Sequence, residues 1–196
     1  MFSILLLILP SWGQEELPFW RRNQKLYKQM VEQRRVIVSV NREQLLGQER
    51  FRVIGAGVVN APFQFTLAQV QDFERLPELS SHFQKVVHRK KDRQLYLSLL
   101  AFGYQARMRL SYEVLKMGKD GAQIDWIVRW GSLKGMTGHY KLRKIDSFRT
   151  EVSLWASFQE IKVPVPEFLL NFTLEVIAEK VAQKMRSSIE ETYRKK

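Results

Sequence analysis

The chain has 196 residues, and its 32 lysines and arginines against 20 acidic residues give a formal net charge of +12 at pH 7. Hydrophobic residues make up 45% of the chain and aromatic residues 12%, which is more than disordered chains carry, so we expect one folded domain with a substantial core. The chain contains no cysteine, which excludes disulfides, thiolate zinc sites and a cysteine nucleophile.

The first residues have the pattern of a secretory signal. Residues 2–9 form an apolar run, followed by Pro10 and by small residues at positions 11 and 13. This pattern predicts a signal peptide over residues 1–13 and an exported protein, periplasmic or secreted. The run is far shorter than the ~20 residues that cross a bilayer as a helix. Because no lysine or arginine precedes it, a buried N-terminal segment stays open as the alternative.

Residues 14–35 form a basic extension in which lysines and arginines alternate with apolar residues at roughly helical spacing. The spacing predicts a short amphipathic helix. Two interpretations remain open: the apolar edge of the helix packs on the domain, or it lies on an anionic membrane surface.

Two strands and two short helices are predicted next. Residues 36–40 are rich in β-branched side chains, and residues 49–60 alternate as a strand does. Gly55 and Gly57 fall on one face of that second strand, where they let it bend; the third glycine of a nucleotide-binding fingerprint is missing. Residues 63–70 predict one helix, and residues 72–77 predict a second that ends at Pro77.

Residues 81–160 predict six further antiparallel strands in a meander, because turn signals separate runs of alternating side chains. One face of this sheet is predicted to be apolar, and the other is predicted to be polar and exposed to solvent. The three histidines, His82, His88 and His139, fall in a turn or among lysines and arginines, so we expect them to be solvated. The predicted apolar face carries Met108, Leu110, Tyr112, Val114, Trp126, Val128, Trp130, Tyr140, Leu142, Val152, Leu154, Ala156 and Phe158.

The last thirty residues contain neither glycine nor proline and predict one long helix. Its first half, residues 167–178, is apolar on most sides and must be covered. Its second half has only a narrow apolar stripe, so we expect it to lie on the surface.

Several motifs resemble the START-like (SRPBCC) superfamily. Val59-Asn60-Ala61-Pro62, together with the stretch from Val70 to Leu79, resembles its opening motif, and residues 124–126, 131–135 and 138–142 resemble later ones. The closest resemblance is to the polyketide cyclase/dehydrase and coenzyme Q-binding START-domain group. It implies an α+β helix-grip domain over residues 36–196, in which a curved antiparallel sheet wraps around a long C-terminal helix and two short helices follow the first strand.

The same resemblance implies a ligand cavity between the sheet and the last helix. The side chains expected to line it are almost all apolar, which suits an acyl lipid, an isoprenoid or a quinone. A completely filled core is the alternative. No catalytic residue, metal ligand or cofactor is predicted. The predicted ligand-binding residues are Phe51, Met108, Leu110, Tyr112, Trp126, Val128, Trp130, Tyr140, Phe158, Phe168 and Phe172.

An enzymatic function remains the second hypothesis. A cyclase- or dehydrase-like enzyme acting on a polyketide-type or aromatic substrate would use Tyr112 or Tyr140 as its acid. The basic exterior is compatible with anionic lipid headgroups or with a merely solvated surface. Nucleic acid is not expected, because the aromatic side chains point inward, where bases cannot stack on them. The sequence leaves the oligomeric state open.

Overall fold

The computed structural model describes residues 17–45, 48–101, 103–159 and 167–196, without the side chains of residues 167–174 and of several residues near strand ends. The signal peptide predicted for residues 1–13 therefore lies outside the described residues.

Helices flank a single sheet in an α+β arrangement, and the order of elements is the predicted one. The helices are α1 (Phe19–Arg22), α2 (Gln24–Glu32), α3 (Phe63–Val70), α4 (Leu76–Leu79) and α5 (Glu167–Arg194), with a 3-10 turn at Phe73–Arg75. The strands are β1 (Ile37–Leu45), β2 (Gln48–Val59), β3 (Phe83–Arg89), β4 (Gln94–Ala101), β5 (Tyr104–Lys116), β6 (Gly121–Gly131), β7 (Thr137–Lys144) and β8 (Thr150–Gln159).

The eight strands form one antiparallel sheet in the order β1-β2-β8-β7-β6-β5-β4-β3. Chain neighbours pair as hairpins, except that β2 pairs with β8 and so joins the first hairpin to the end of the meander. The intervening helices α3 and α4 carry the chain from β2 to the far edge at β3. The curved sheet with its long C-terminal helix confirms the predicted helix-grip fold.

Helix α5 packs against β1 and β2 and against α3 and α4. Its second half is held by Glu190, which is 3% exposed and accepts the Asn60 backbone N–H at 2.9 Å and a hydrogen bond from Arg34. Arg75 donates to the Ser188 hydroxyl at 2.8 Å. The narrow apolar stripe predicted for this half is present, and Ile189 on it belongs to the core.

The N-terminal extension packs on the sheet face opposite α5. Trp20 and Met30 are buried against Ala56 and Val58 of β2, so the apolar edge of the extension lies on the domain. This outer face of the sheet is therefore covered over β1 and β2, while the polar, solvent-exposed face that the sequence predicts belongs to the strands of residues 81–160.

A buried carboxylate fixes α1 to the outer face. Glu151 of β8 is 4% exposed; it accepts hydrogen bonds from the Trp20 indole at 3.3 Å and from Arg21 at 2.6 Å, and Arg143 lies 3.5 Å away. A charge that is removed from water in this way is stable only when several partners compensate it.

Pro77 lies at the start of a helix and not at its end. The sequence predicts that it ends a helix, but it lies in the first turn of α4, which continues to Leu79. The first turn tolerates proline because its N–H groups have no partner inside the helix.

Replacing Glu151 with alanine should lower the free energy of unfolding by about 3 kcal/mol, because Trp20 and Arg21 would keep buried donors without an acceptor. Urea denaturation measures this change. Glu113→Ala is the matched control: this carboxylate is exposed and lies 3.8 Å from Arg93, so its loss should cost less than about 1 kcal/mol. Equal effects of the two substitutions would contradict the role assigned to Glu151.

Candidate functional site

The sheet face turned toward α5, called the inner face here, is nearly continuous apolar surface. Strand register sets its rows: Phe51 lies opposite Phe158, Ala156 opposite Gly138, and Trp126 opposite both Gly138 and Tyr112. The rings of Phe51 and Phe158 are stacked with centroids 5.2 Å apart. Most of the predicted ligand-binding residues therefore share this face: Phe51, Met108, Leu110, Tyr112, Trp126, Val128, Tyr140 and Phe158.

Burial changes along the inner face. Next to α3, Ala122, Ile124 and Leu142 have no accessible surface and form part of the main core. Further along the same strands, Trp126 and Tyr140 keep part of their surface accessible. Helix α5 makes its main sheet contacts with β1 and β2. Trp126 and Tyr140 are therefore less completely covered than the core residues next to α3.

Trp126 is fitted to this face by a glycine. A Cβ atom at position 138 would lie 2.3 Å from the Trp126 ring and 2.6 Å from the Trp155 carbonyl oxygen, so only glycine lets the indole lie on β7. The indole Nε1 of Trp126 is buried without a hydrogen-bond partner. An unpaired buried donor is costly in a protein interior.

Trp130 does not lie where the alternation predicts. It lies opposite Arg109 and is 55% exposed, because the register between β5 and β6 shifts between Arg109 and Leu110. Val128 still pairs with Leu110 on the inner face. This register shift, a β-bulge, therefore places Trp130 on the outer face, so Trp130 does not belong to the candidate site.

His88 is also placed differently. The sequence predicts a solvated side chain, but His88 lies opposite the inner-face residue Leu95, and its side chain is only 3% exposed. Its Nε2 atom is 2.7 Å from the Tyr112 hydroxyl. Phe73 packs edge-on against both rings, with centroid distances of 5.3 Å to His88 and 5.0 Å to Tyr112. A register shift in β3 between Phe83 and Lys85 hides this placement from a simple alternation count.

The electrostatic setting of this pair favours its neutral form. Burial lowers the pKa of His88 below its usual 6.5, and nearby Lys90 lowers it further, whereas Glu74 and Asp72 oppose the shift. Burial raises the pKa of Tyr112. The free Nδ1 atom of His88 faces Glu74 at 4.0 Å, too far for a hydrogen bond.

Among the described side chains, Tyr140 is a second phenol on the inner face, and burial raises its pKa as well. It pairs in register with Ile124 and Leu154. Both tyrosines therefore remain protonated near neutral pH and can donate a hydrogen bond. Phe168 and Phe172, the remaining predicted site residues, lie on α5, but their side chains are outside the described residues.

A separate cleft opens on the outer face beneath α1. It has a volume of about 930 Å³, and its walls include Arg21, Arg52, Lys141 and Trp155. A neighbouring groove of about 440 Å³ shares Trp155 and the stacked ring of His139. The charged walls of the cleft distinguish it from the apolar inner face.

Two further observations concern metal ligands and membrane-spanning helices. In the part of the chain that the structure describes, His, Asp and Glu side chains form no cluster that could hold a metal ion. Among the same residues, no helix is long and apolar enough to cross a membrane.

Solved structures with the same fold identify it as START-like. A START superfamily protein from Mycobacterium smegmatis aligns with a TM-score of 0.59 and 17% identity, covering 72% of this chain and 98% of that one. TTHA0849 from Thermus thermophilus gives a TM-score of 0.58 at 16% identity, covering 70% and 96%. The Zhui aromatase/cyclase from Streptomyces sp. R1128 gives 0.56 at 13%, covering 74% and 94%.

No protein-family model matches the chain, and no curated protein matches it. At these low identities the structural likeness establishes the fold alone, because the same fold hosts unrelated functions. The chain therefore has a START-like fold, which it shares with the Zhui aromatase/cyclase among others.

The lowered pKa of His88 predicts a pH-dependent stability. Because the unfolded chain takes up a proton near pH 6.5 and the buried imidazole takes it up only at lower pH, stability should fall as the pH drops below about 6.5. His88→Gln should make that decrease smaller in urea denaturation between about pH 7 and pH 5. An NMR titration of the His88 ring that gave a pKa above 6.5 would contradict the buried neutral state.

Proposed function

We propose that the chain binds a hydrophobic ligand, of the lipid or isoprenoid/quinone class, between the inner face and α5. The observation that carries the proposal is the accessible surface kept by Trp126 and Tyr140 on a face that is otherwise apolar. Packed interiors leave few voids larger than a water molecule, so aromatic side chains that stay accessible inside a domain indicate a ligand space.

The polar atoms of the inner face suit one end of such a ligand. Among the described side chains, the hydroxyls of Tyr112 and Tyr140 are phenol donors on a wall made mostly of aliphatic and aromatic carbon. An acyl chain or isoprenoid tail would gain affinity from apolar burial, roughly 25 cal/mol per Å². A carbonyl or carboxyl head would be oriented by the phenols.

The outer cleft is the less suitable site for this class of ligand. Its walls carry several cations, including Arg21 and Arg143, together with the buried carboxylate of Glu151. An apolar tail placed there would bring hydrocarbon against these charged groups and remove them from water, which is unfavourable.

Filling the inner space with a larger side chain should reduce binding. Leu154→Trp adds volume between Tyr140 and Gly55, its register partners, and should weaken the affinity for a fluorescent fatty-acid analogue by at least about tenfold. Leu100→Trp is the control, because Leu100 is 41% exposed on β4 and should leave affinity unchanged. Fluorescence titration of both variants gives the comparison. Unchanged affinity in a folded Leu154→Trp variant would place the ligand elsewhere.

A cyclase-like enzyme is the second candidate function, and the His88–Tyr112 pair is the observation that favours it. A phenol hydroxyl that shares a hydrogen bond with a neutral imidazole is suited to general acid–base catalysis near neutral pH. The Zhui aromatase/cyclase has the same fold, and it gives the class of substrate to try first: a polyketide chain with several carbonyl groups.

Tyr112→Phe separates the two candidates. A carrier should keep its affinity within about tenfold, because one hydrogen bond contributes only about 1 kcal/mol net. An enzyme that uses this hydroxyl should lose turnover by about 100-fold or more, with little change in substrate binding. The measurements are ligand titration and product analysis with a polyketide mimic, and Tyr96→Phe on the outer face is the control. Absence of turnover in the wild-type chain would remove the enzymatic candidate.

A further inference from the structure

Four exposed apolar side chains gather at one end of the sheet. Phe148 lies in the β7–β8 turn and is 67% exposed, and Met117, just after β5, is 43% exposed. Leu115 of β5 and Leu17, just before α1, are also exposed. Single exposed apolar residues are common on protein surfaces, but a group of four on neighbouring segments calls for an explanation.

Backbone contacts hold these segments side by side. The Lys144 backbone N–H donates to the Asp120 carbonyl at 2.8 Å, and the two side chains form an ion pair at 3.3 Å, which joins the β5–β6 turn to the end of β7. Leu17 and Met117 line the same cleft. We call this region, residues 115–120 and 143–149 with Leu17, the turn end.

Hydrogen bonds within each turn fix its backbone. The exposed side chains of Met117 and Phe148 are therefore held in place before any partner binds. The Met117 N–H donates to the Gly121 carbonyl at 2.9 Å. Asp146 accepts the Phe148 N–H at 2.9 Å and the Arg149 side chain at 2.7 Å. These hydrogen bonds hold the pKa of Asp146 below its usual value, so its bracing role persists over the physiological pH range.

Positive charge surrounds the apolar tips. The turn end carries Lys116, Lys119, Arg143, Lys144 and Arg149 against the two carboxylates of Asp120 and Asp146. Each of those carboxylates is already paired, one with Lys144 and one with Arg149. Within the described residues, Lys116 and Lys119 have no acidic partner.

We propose that the turn end docks on a bilayer surface that contains anionic lipid, with Phe148 and Met117 entering the headgroup boundary. At that boundary an apolar acyl layer lies directly beneath a layer of phosphate groups. The projecting apolar side chains would reach the acyl layer, while the ammonium groups of the neighbouring lysines would stay beside the phosphates. The docking does not depend on whether the inner space holds a ligand.

Vesicle sedimentation of the full chain tests the proposal with vesicles of phosphatidylcholine alone and of equimolar phosphatidylcholine and phosphatidylserine. The chain should bind the anionic vesicles, and less so as salt rises. Met117→Ser/Phe148→Ser should abolish binding at physiological ionic strength. Lys116→Gln/Lys119→Gln should weaken it about 25-fold, since each cation near such a surface contributes about fivefold.

Matched controls come from the opposite end of the sheet. Leu100→Ser and Lys134→Gln change exposed residues of the same types and should leave vesicle binding unchanged. All the substituted side chains are exposed, so the variants should fold, which the unfolding midpoint verifies.

A label can report insertion directly, because the chain contains no cysteine and one introduced thiol is unique. An environment-sensitive fluorophore on Phe148→Cys should shift to the blue on adding anionic vesicles, whereas the same label on Leu100→Cys should not. Failure of the wild-type chain to bind anionic vesicles, equal binding by the Met117→Ser/Phe148→Ser variant, or a blue shift confined to position 100 would each overturn the proposal.

Discussion

The placement of α5 over the sheet depends on one buried carboxylate. Glu190 accepts a backbone N–H from Asn60 at the end of β2 and a hydrogen bond from Arg34, which fixes the second half of the helix at the end of the sheet where α3 also packs. Because a buried charge requires its partners, the helix cannot slide without losing them. The first half of α5 therefore has to extend from this anchor along the sheet, and the candidate ligand space lies between them.

The N-terminal extension contributes to both faces of the sheet through the same kind of interaction. Arg21 pairs with buried Glu151 on the outer face, and Arg34 pairs with buried Glu190 beside α5. The two arginines lie on either side of α2, whose Met30 is buried against β2. Although the START-like resemblance does not include residues 14–35, this extension braces the domain, and α1 forms part of the wall of the outer cleft.

Side-chain alternation predicted most of the sheet because period-two patterns survive wherever register is regular. It placed Tyr112, Trp126 and Tyr140 correctly on one face. It failed at Trp130 and His88, where register shifts in β5–β6 and β3–β4 add a residue to one strand, and a bulge leaves no mark in a hydrophobicity pattern. The burial of Glu151 could not be predicted from the pattern either, since a glutamate among polar residues is normally solvated. Glu151 is buried because Trp20 and Arg21, which are distant in the sequence, pack against it and donate hydrogen bonds to it.

The candidate site, too, could be predicted from the sequence only in part. The sequence located its apolar wall, but the His88–Tyr112 pair depends on the packing of β3 and β5 on either side of β4, which brings together residues 24 positions apart. This pair joins an imidazole to a phenol by a hydrogen bond. An enzyme would need it for catalysis, whereas a carrier would not, so it is the part of the inner face that distinguishes the two proposed functions. The apolar wall is common to both proposed functions.

The central claim is that ligand binds on the inner face, and the tryptophan indoles provide built-in reporters of both faces. The Trp126 indole N–H is buried on the inner face without a partner, whereas Trp130 is exposed on the outer face and Trp155 borders the outer cleft. NMR titration of the indole N–H resonances with oleate is the most direct measurement. We expect the Trp126 resonance to shift with saturation while those of Trp130 and Trp155 stay in place; a shift of Trp155 without one of Trp126 would contradict the inner site.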